Sequence, residues 1–308
     1  MKQRQTSSSI FLASIILTTV FMGSSFPTGK YLISIEKVPP FILGGWRCLI
    51  AGLIMILWTL LRGGWKNTVP TSDGKVAKGV ILVSLVGLLQ TAGTMGFLNL
   101  AMAYGVSSSM SSIILFTNPI WLALLAHFFL NDKLNIWKIT SLIMGIGGVI
   151  LCLGVNKSSF GVGALFALLG SFCWAINSVV TKRIPFDKGP WIFTGWQLLF
   201  GGIIMLFFSN LMKESYHFSH LNSWGWLWFV WLILPASVGS FGFWFSSLSQ
   251  RKATIASSFL FLVPLFSTIF SIIGLHEKFT SGLILGGILI VIALVLVNKE
   301  MPNRKIEG

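Results

Sequence analysis

Charge is scarce in this chain, and negative charge is scarcest. Only 10% of the 308 residues are charged, with eight Asp and Glu against 22 Lys and Arg. A soluble domain carries about a quarter charged residues, so a soluble globular protein is excluded. The acids are Glu36, Asp73, Asp132, Asp187, Glu214, Glu277, Glu300 and Glu307, and each falls at the end of an apolar run, in a connection or in the tail. No carboxylate stands mid-run to relay protons, as proton-driven carriers commonly require. Facilitated diffusion or exchange, with little direct proton coupling, is therefore expected. Histidine is also rare, at four residues, and neither nucleophile–base pairs nor metal clusters are spaced along the chain. An enzyme is not expected, nor a metal or other cofactor. A phosphate-binding P-loop is missing, so ATP hydrolysis would need a separate protein. The three cysteines, Cys48, Cys152 and Cys173, sit inside apolar runs without metal-ligand spacing, which gives no disulfide framework and no zinc site.

What the chain has in abundance is apolar length. Hydrophobic residues make up 54% of it and the mean hydropathy is +0.84. A membrane-spanning helix needs about 20 mostly apolar residues. The sequence supplies ten such runs, near 10–33, 41–61, 79–102, 107–130, 135–154, 161–182, 191–211, 224–248, 253–274 and 281–297. They predict an all-α integral membrane protein with ten transmembrane helices and very short connections. Lys2 and Arg4 ahead of the first run would suit a signal peptide. That run is long, however, and lacks a small-x-small cleavage site, so it reads as an uncleaved helix.

A net charge of +14 would suggest nucleic acid in a soluble protein. Here its distribution gives another reading. With the N-terminus in the cytoplasm, the inner segments collect both basic termini and the Lys and Arg of 62–78, 133–138, 182–188 and 251–252, while the outer side keeps Lys30, Lys37, Lys157, Lys213 and Lys278. That bias predicts a cytoplasmic membrane protein with both termini inside. The partners expected are the lipid bilayer and a small-molecule substrate, and nucleic acid is not among them.

The second half of the chain repeats the first. Pro40 to Met55 lies over Pro190 to Met205 with eight identities, among them Gly45/Gly195, Trp46/Trp196, Leu49/Leu199 and Gly52/Gly202. Further on, Ser112, Leu115, Phe116, Pro119 and Lys133 fall on Ser257, Leu260, Phe261, Pro264 and Lys278, and Asp132 falls on Glu277. Repeats of 1–156 and 157–308 with five spans each must have opposite orientation. Inverted repeats of this kind place a substrate site near the bilayer mid-plane.

Polar side chains at lipid depth should face a bundle interior or cavity. Trp174 and Asn177 step along one face of the sixth span, Ser240 and Trp244 along the eighth, and Gln90 heads such a face on the third. Asn118 and Ser257 do the same on the fourth and ninth. These seven are the candidate substrate contacts. Each has a plainer alternative, since serines bond back one turn or permit close packing, and Asn and Gln can bond between helices. Pro119 and Pro264 would each kink a helix and free a carbonyl toward the cavity. Arg47 would either snorkel to the interface or bind an anionic group. Asp132 and Glu277 are candidate gates, or else flank the starts of the fifth and tenth helices, where negative charge suits the helix dipole. Gly145, Gly147 and Gly148 in the fifth span and Gly282-x-x-x-Gly286 in the tenth suit close packing, within the bundle or along a homodimer seam.

Several stretches together resemble the EamA-type carriers of the drug/metabolite transporter superfamily. They are Gly23 to Lys30, Gly45-Trp-Arg-Cys-Leu49, Ser112 to Pro119, Asn131 to Leu134, Cys173 to Asn177, Ser257 to Pro264 and His276 to Phe279. The resemblance implies two inverted five-helix repeats around a cavity lined by helices 1, 3, 4, 6, 8 and 9. It also implies transport, often outward, of small metabolites, amino acids or drug-like compounds. Asp132 departs from the family's usual glutamate, and Gln197 stands opposite Arg47 in the repeat. A secondary transporter exporting a metabolite or amino acid is the expected function. Multidrug export and a non-transport receptor or assembly protein are the alternatives.

Overall fold

A computed structural model describes residues 8–129, 136–153, 161–183, 186–250, 256, 259–260, 262–278 and 280–297. It is helical, with no strand among the described residues beyond one bridge between Ser72 and Lys75. In chain order the helices are α1 (Ser8–Ser34), α2 (Pro40–Thr68), α3 (Val76–Ala103), α4 (Ser108–Phe129), α5 (Ile136–Leu153), α6 (Val162–Arg183), α7 (Pro190–Leu211), α8 (Ser223–Gln250), α9 (Leu262–Leu275) and α10 (Ser281–Val297). Seven are long and apolar enough to cross a membrane, and α5, α9 and α10 contain shorter apolar helices among the described residues.

Local chemistry sets the helix starts. α2 and α7 both open on a proline, Pro40 and Pro190, where the missing N–H costs nothing and φ is already helical. Ser107 caps α4 by accepting the Met110 N–H at 3.1 Å, and Asn222 caps α8 by accepting the Gly225 N–H at 2.8 Å.

The repeat in sequence becomes a reciprocal contact in space. A Cβ on Gly52 would lie 2.6 Å from Leu199 N and 2.7 Å from Gly195 O, and one on Gly202 would lie 2.6 Å from Leu49 N and 2.8 Å from Gly45 O. α2 and α7 therefore meet backbone to backbone, through residues that occupy equivalent positions in the two copies. α5 and α10 form a second seam, where a Cβ on Gly148 would meet Gly286 O at 2.8 Å and one on Gly282 would meet Leu151 O at 2.6 Å. The glycines of the tenth helix are thus used within the chain.

The two repeats are also tied at their ends, by acids of one copy binding backbone N–H groups of the other. Glu214, in the α7–α8 connection, accepts the first free N–H groups of α2, Phe41 at 3.4 Å and Ile42 at 3.0 Å. Asp187, between α6 and α7, accepts Asp73 N–H at 3.1 Å and Gly74 N–H at 2.9 Å, while its own N–H donates to Thr71 O at 3.1 Å. The Gly74 N–H chiefly, with help from Thr71 and Asp73, holds the Asp187 carboxyl below the ordinary aspartate value. A depressed folded-state pKa contributes stability above the unfolded value of about 3.9, and the contribution is lost as pH falls through the depressed value. Asp187→Asn is accordingly expected to flatten the acid limb of the unfolding midpoint measured between about pH 5 and pH 2, where the wild type declines. An unchanged limb would show that the loop contact adds nothing to acid stability.

Candidate functional site

Between the repeats lies a cavity of about 130 Å³, lined from α1, α2, α3, α4, α6, α8 and α9. Phe26, Phe116, Trp174 and Phe241 form aromatic walls, and Ser25, Arg47, Gln90, Thr94, Asn99 and Ser240 supply polar groups. Two larger grooves, of about 470 Å³ against α1, α8 and α9 and about 330 Å³ against α4, α9 and α10, are almost wholly apolar and include residues as exposed as Ile273 at 70%. Lipid tails would cover such outward grooves, whereas a binding site needs a few convergent polar groups on an apolar wall. The smaller central cavity meets that description.

Gln90 lies within, and Thr94 and Ser240 directly follow, segments where two helices lose their regular turn. α3 contains a π segment, Gly87–Gly93, and α8 contains another, Leu234–Gly239. Each opens at the twelfth residue of its helix (Gly87 counted from Val76, Leu234 from Ser223). Gln90 and Ser237 are both the fifteenth residue, so the two repeats place a polar side chain at the same point of a matching distortion. π segments recur at functional sites because the extra residue turns side chains out of the normal helical register. Gln90 Oε1 accepts the Asn177 amide at 3.0 Å, and Ser237 Oγ accepts the Arg47 Nε–H at 2.9 Å.

Of the residues expected to contact substrate, Trp174, Gln90 and Ser240 line this cavity, and Asn177 is attached to it through Gln90. Asn177 Oδ1 is buried without a partner among the described residues. Trp174 packs edge-on to Phe116, with ring centroids 5.5 Å apart. Ser240 bonds back to Ala236 O at 2.9 Å. Asn118 is buried at the break in α4 and is not part of the lining. Trp244 packs with Leu248 and Phe259 against Phe11, Ile15 and Ala256, away from the cavity. Ser257 and Asp132 lie outside the described residues.

One open alternative is narrowed and two expectations change. Arg47 does not reach for the interface; it turns inward, held by Ser237, and lines the cavity. Pro119 lacks the N–H that would bond Leu115 O, and α4 breaks at Phe116 and Thr117. The released carbonyl is taken by Ser171 Oγ of α6 at 3.1 Å and is not left to the cavity. At Pro264 the corresponding Leu260 O accepts the Val263 N–H at 3.0 Å. Glu277 serves a helix dipole, but that of α4 and not of α10. Its two oxygens accept the N–H and Oγ–H of Ser108, both at 2.7 Å, and those of Ser109 at 3.2 and 2.7 Å. α10 is capped instead by Thr280 Oγ1, which accepts the Leu283 N–H at 3.2 Å.

The resemblance placed helices 1 and 3 at the cavity, but no residue of α1 and only part of α3 was singled out. Met22, Ser25 and Phe26 line the cavity at a three- and four-residue step that the sequence does carry. Asn99, whose amide donates to Pro40 O at 3.0 Å, falls off the face headed by Gln90 because the π segment intervenes.

Comparison with known proteins agrees with this architecture. Residues 8–154 and 161–299 each match the EamA-like transporter family. The uncharacterised transporter YoaV of Bacillus subtilis is 28% identical over 96% of this chain and 99% of its own length. A chloroplastic WAT1-related protein of Arabidopsis thaliana is 26% identical over 92% of this chain and 70% of its own length, and the uncharacterised inner membrane transporter YedA of Escherichia coli is 25% identical over 89% and 87%. One crystal structure, 18% identical, superposes with a TM-score of 0.62 over 95% of this chain and 97% of that chain, which establishes the shared fold. With one family match on each half of the chain, the protein belongs to the EamA-like transporter family of the drug/metabolite transporter superfamily.

Proposed function

We propose that this chain is a secondary carrier that moves a small organic solute through the cavity between its repeats. The observation that carries this reading is that both copies line one cavity, with Arg47, Gln90 and Phe116 from the first and Trp174, Ser240 and Phe241 from the second. In this reading all ten helices cross the cytoplasmic membrane, the repeats have opposite orientation, and both termini are cytoplasmic. Transport runs outward, by rocking one repeat against the other about the α2–α7 seam. The α9–α10 connection then lies outside, and the bonds from Ser108 and Ser109 to Glu277 close that side. A cavity of about 130 Å³ is small beside the roughly 300–1,000 Å³ of drug-sized sites, which favours a metabolite over a bulky drug. No Asp, Glu or His lines it among the described residues, which favours exchange or facilitated diffusion over direct proton coupling.

The test is counterflow of labelled amino acids and small metabolites in proteoliposomes. Saturable uptake is expected for some of them, reduced at least about tenfold in the Trp174→Ala, Asn177→Ala double variant. That loss corresponds to about 1.4 kcal/mol or more of binding. Flux unchanged in a folded double variant would place the site elsewhere, and the absence of saturable flux for every solute would count against a carrier.

A further inference from the structure

The one cation among the described residues lining this cavity has no counter-charge among the described residues. Arg47 carries a guanidinium that stays protonated in any protein environment. Its Nε–H is taken by Ser237 Oγ at 2.9 Å, and the Ser237 hydroxyl in turn donates to Leu232 O at 2.7 Å. Ser237 thus spends its one O–H on Leu232 and holds the guanidinium from one edge. The terminal nitrogens make no bond to any described residue, and no carboxylate among the described residues lies within ion-pair distance. The one ion pair among the described residues is Lys78 with Asp73, far along the chain from it. None of the described residues lining the cavity is acidic, and Arg47 is the sole cation among them.

The neighbouring polar groups cannot take over as charge partners. Ser25 donates to Met22 O at 2.7 Å, Thr94 to Leu89 O at 3.1 Å and Ser240 to Ala236 O at 2.9 Å. Asn99 donates to Pro40 O at 3.0 Å, and Gln90 Oε1 is occupied by Asn177. These hydroxyls bond to their own helices, which leaves the Arg47 fork as the strongest uncommitted donor facing the space. An uncompensated charge enclosed by protein is costly, and a planar carboxylate matches the two terminal guanidinium nitrogens in a bidentate pair. Around it stand Phe26, Phe116, Trp174 and Phe241.

We propose that the cavity binds a small organic monoanion, its carboxylate on Arg47 and its apolar or aromatic body against Trp174 and Phe116. This rests on the carrier reading above and narrows its substrate class. An amine finds no acid to pair with, a neutral amide leaves the buried charge unmet, and a simple carboxylic acid satisfies the site better than a zwitterionic amino acid does.

The experiment compares phenylacetate, phenylacetamide and 2-phenylethylamine, three probes with one aromatic body and three charges. Each is titrated at millimolar concentration against the full-length protein in detergent, reading the thermal unfolding midpoint. A ligand that binds only the folded state raises that midpoint. Phenylacetate alone is expected to raise it. In Arg47→Gln the half-saturating phenylacetate concentration should rise about tenfold or more, and Arg47→Lys should recover part of the effect. The three-probe comparison on the wild type needs no variant, so it holds even if Arg47→Gln fails to fold. A shift by the amide or the amine equal to that by phenylacetate overturns the proposal, as does a shift retained in folded Arg47→Gln or no shift with any probe. Saturable counterflow of an amine or neutral solute alongside those outcomes would leave the carrier reading standing. A phenylacetate shift without phenylacetate counterflow would keep the anion site and sink the carrier.

Discussion

Glu277→Ala is expected to lower the stability of the folded protein by roughly 1–3 kcal/mol or more, the cost of leaving buried donors without their acceptor. The carboxylate is the shared acceptor for four donors at the start of α4, three at 2.7 Å and one at 3.2 Å. Two of these are first-turn N–H groups, which have no partner within their own helix and which the α4 dipole makes better donors to a negative charge. The two Ser hydroxyls complete the ring, and Ser108 Oγ also sits 2.7 Å from Ser271 Oγ of α9. Alanine would strand all four donors. Glu277→Gln keeps one acceptor oxygen and replaces the other with a donor facing donors, so it should cost less than alanine but more than Ser109→Ala, which deletes a single bond. The measurement is the thermal unfolding midpoint of the four proteins in one detergent. The predicted order is wild type, Ser109→Ala, Glu277→Gln, then Glu277→Ala. A Glu277→Ala midpoint equal to wild type would mean that water already satisfies these groups and that the end contact holds nothing closed.

Alanine at Gly52 or Gly202 is expected to disrupt the α2–α7 seam. The atoms that a Cβ would meet, at 2.6 to 2.8 Å, are Leu199 N and Gly195 O on one side and Leu49 N and Gly45 O on the other. Backbone atoms cannot swing aside as a flexible side chain can, so the helices must part along the seam. Overpacking of this kind costs typically about 1–3 kcal/mol per site. The two sites share one interface, so the double substitution should depart from the sum of the single ones. Gly147→Ala in α5 is the control, since a Cβ there meets nothing within 4 Å. Size-exclusion profiles and unfolding midpoints should show loss of monodisperse protein for Gly52→Ala and Gly202→Ala, and none for Gly147→Ala. If all three behave alike, the α2–α7 contact is looser than this packing requires.

Much of this organisation was legible along the chain. Apolar run length and the shortage of acids gave the membrane class, because the bilayer imposes its thickness and its intolerance of unpaired charge on any sequence that crosses it. The alignment of Pro40–Met55 with Pro190–Met205 carried the repeat and singled out Gly45, Gly52, Gly195 and Gly202, the residues that touch across the pseudo-twofold seam. Helical spacing brought Trp174 and Gln90 into one set, and both line the cavity.

What spacing could not supply was which helix stands opposite which, or how far a distortion turns a face. Trp244 shares the face of Ser240 on α8 yet stands one turn beyond the cavity and packs with Phe11, Ile15 and Ala256, while Asn99 lines the cavity off the regular face of Gln90, across the π segment at Gly87–Gly93. One extra residue in a turn rotates the rest of the helix by about 100° relative to regular spacing. Glu277 reads as a cap for the next helix in the chain, but its loop folds back over α4. Arg47 has the same local sequence whether it snorkels or turns inward; Ser237, 190 positions away, decides between them. The sequence by itself determined the class and the repeat, since these depend on composition and on the alignment of the two halves, whereas the α2–α7 seam is a contact between distant helices. Only the tertiary structure decided the contents of the cavity, because those depend on the azimuth of seven helices brought together by packing.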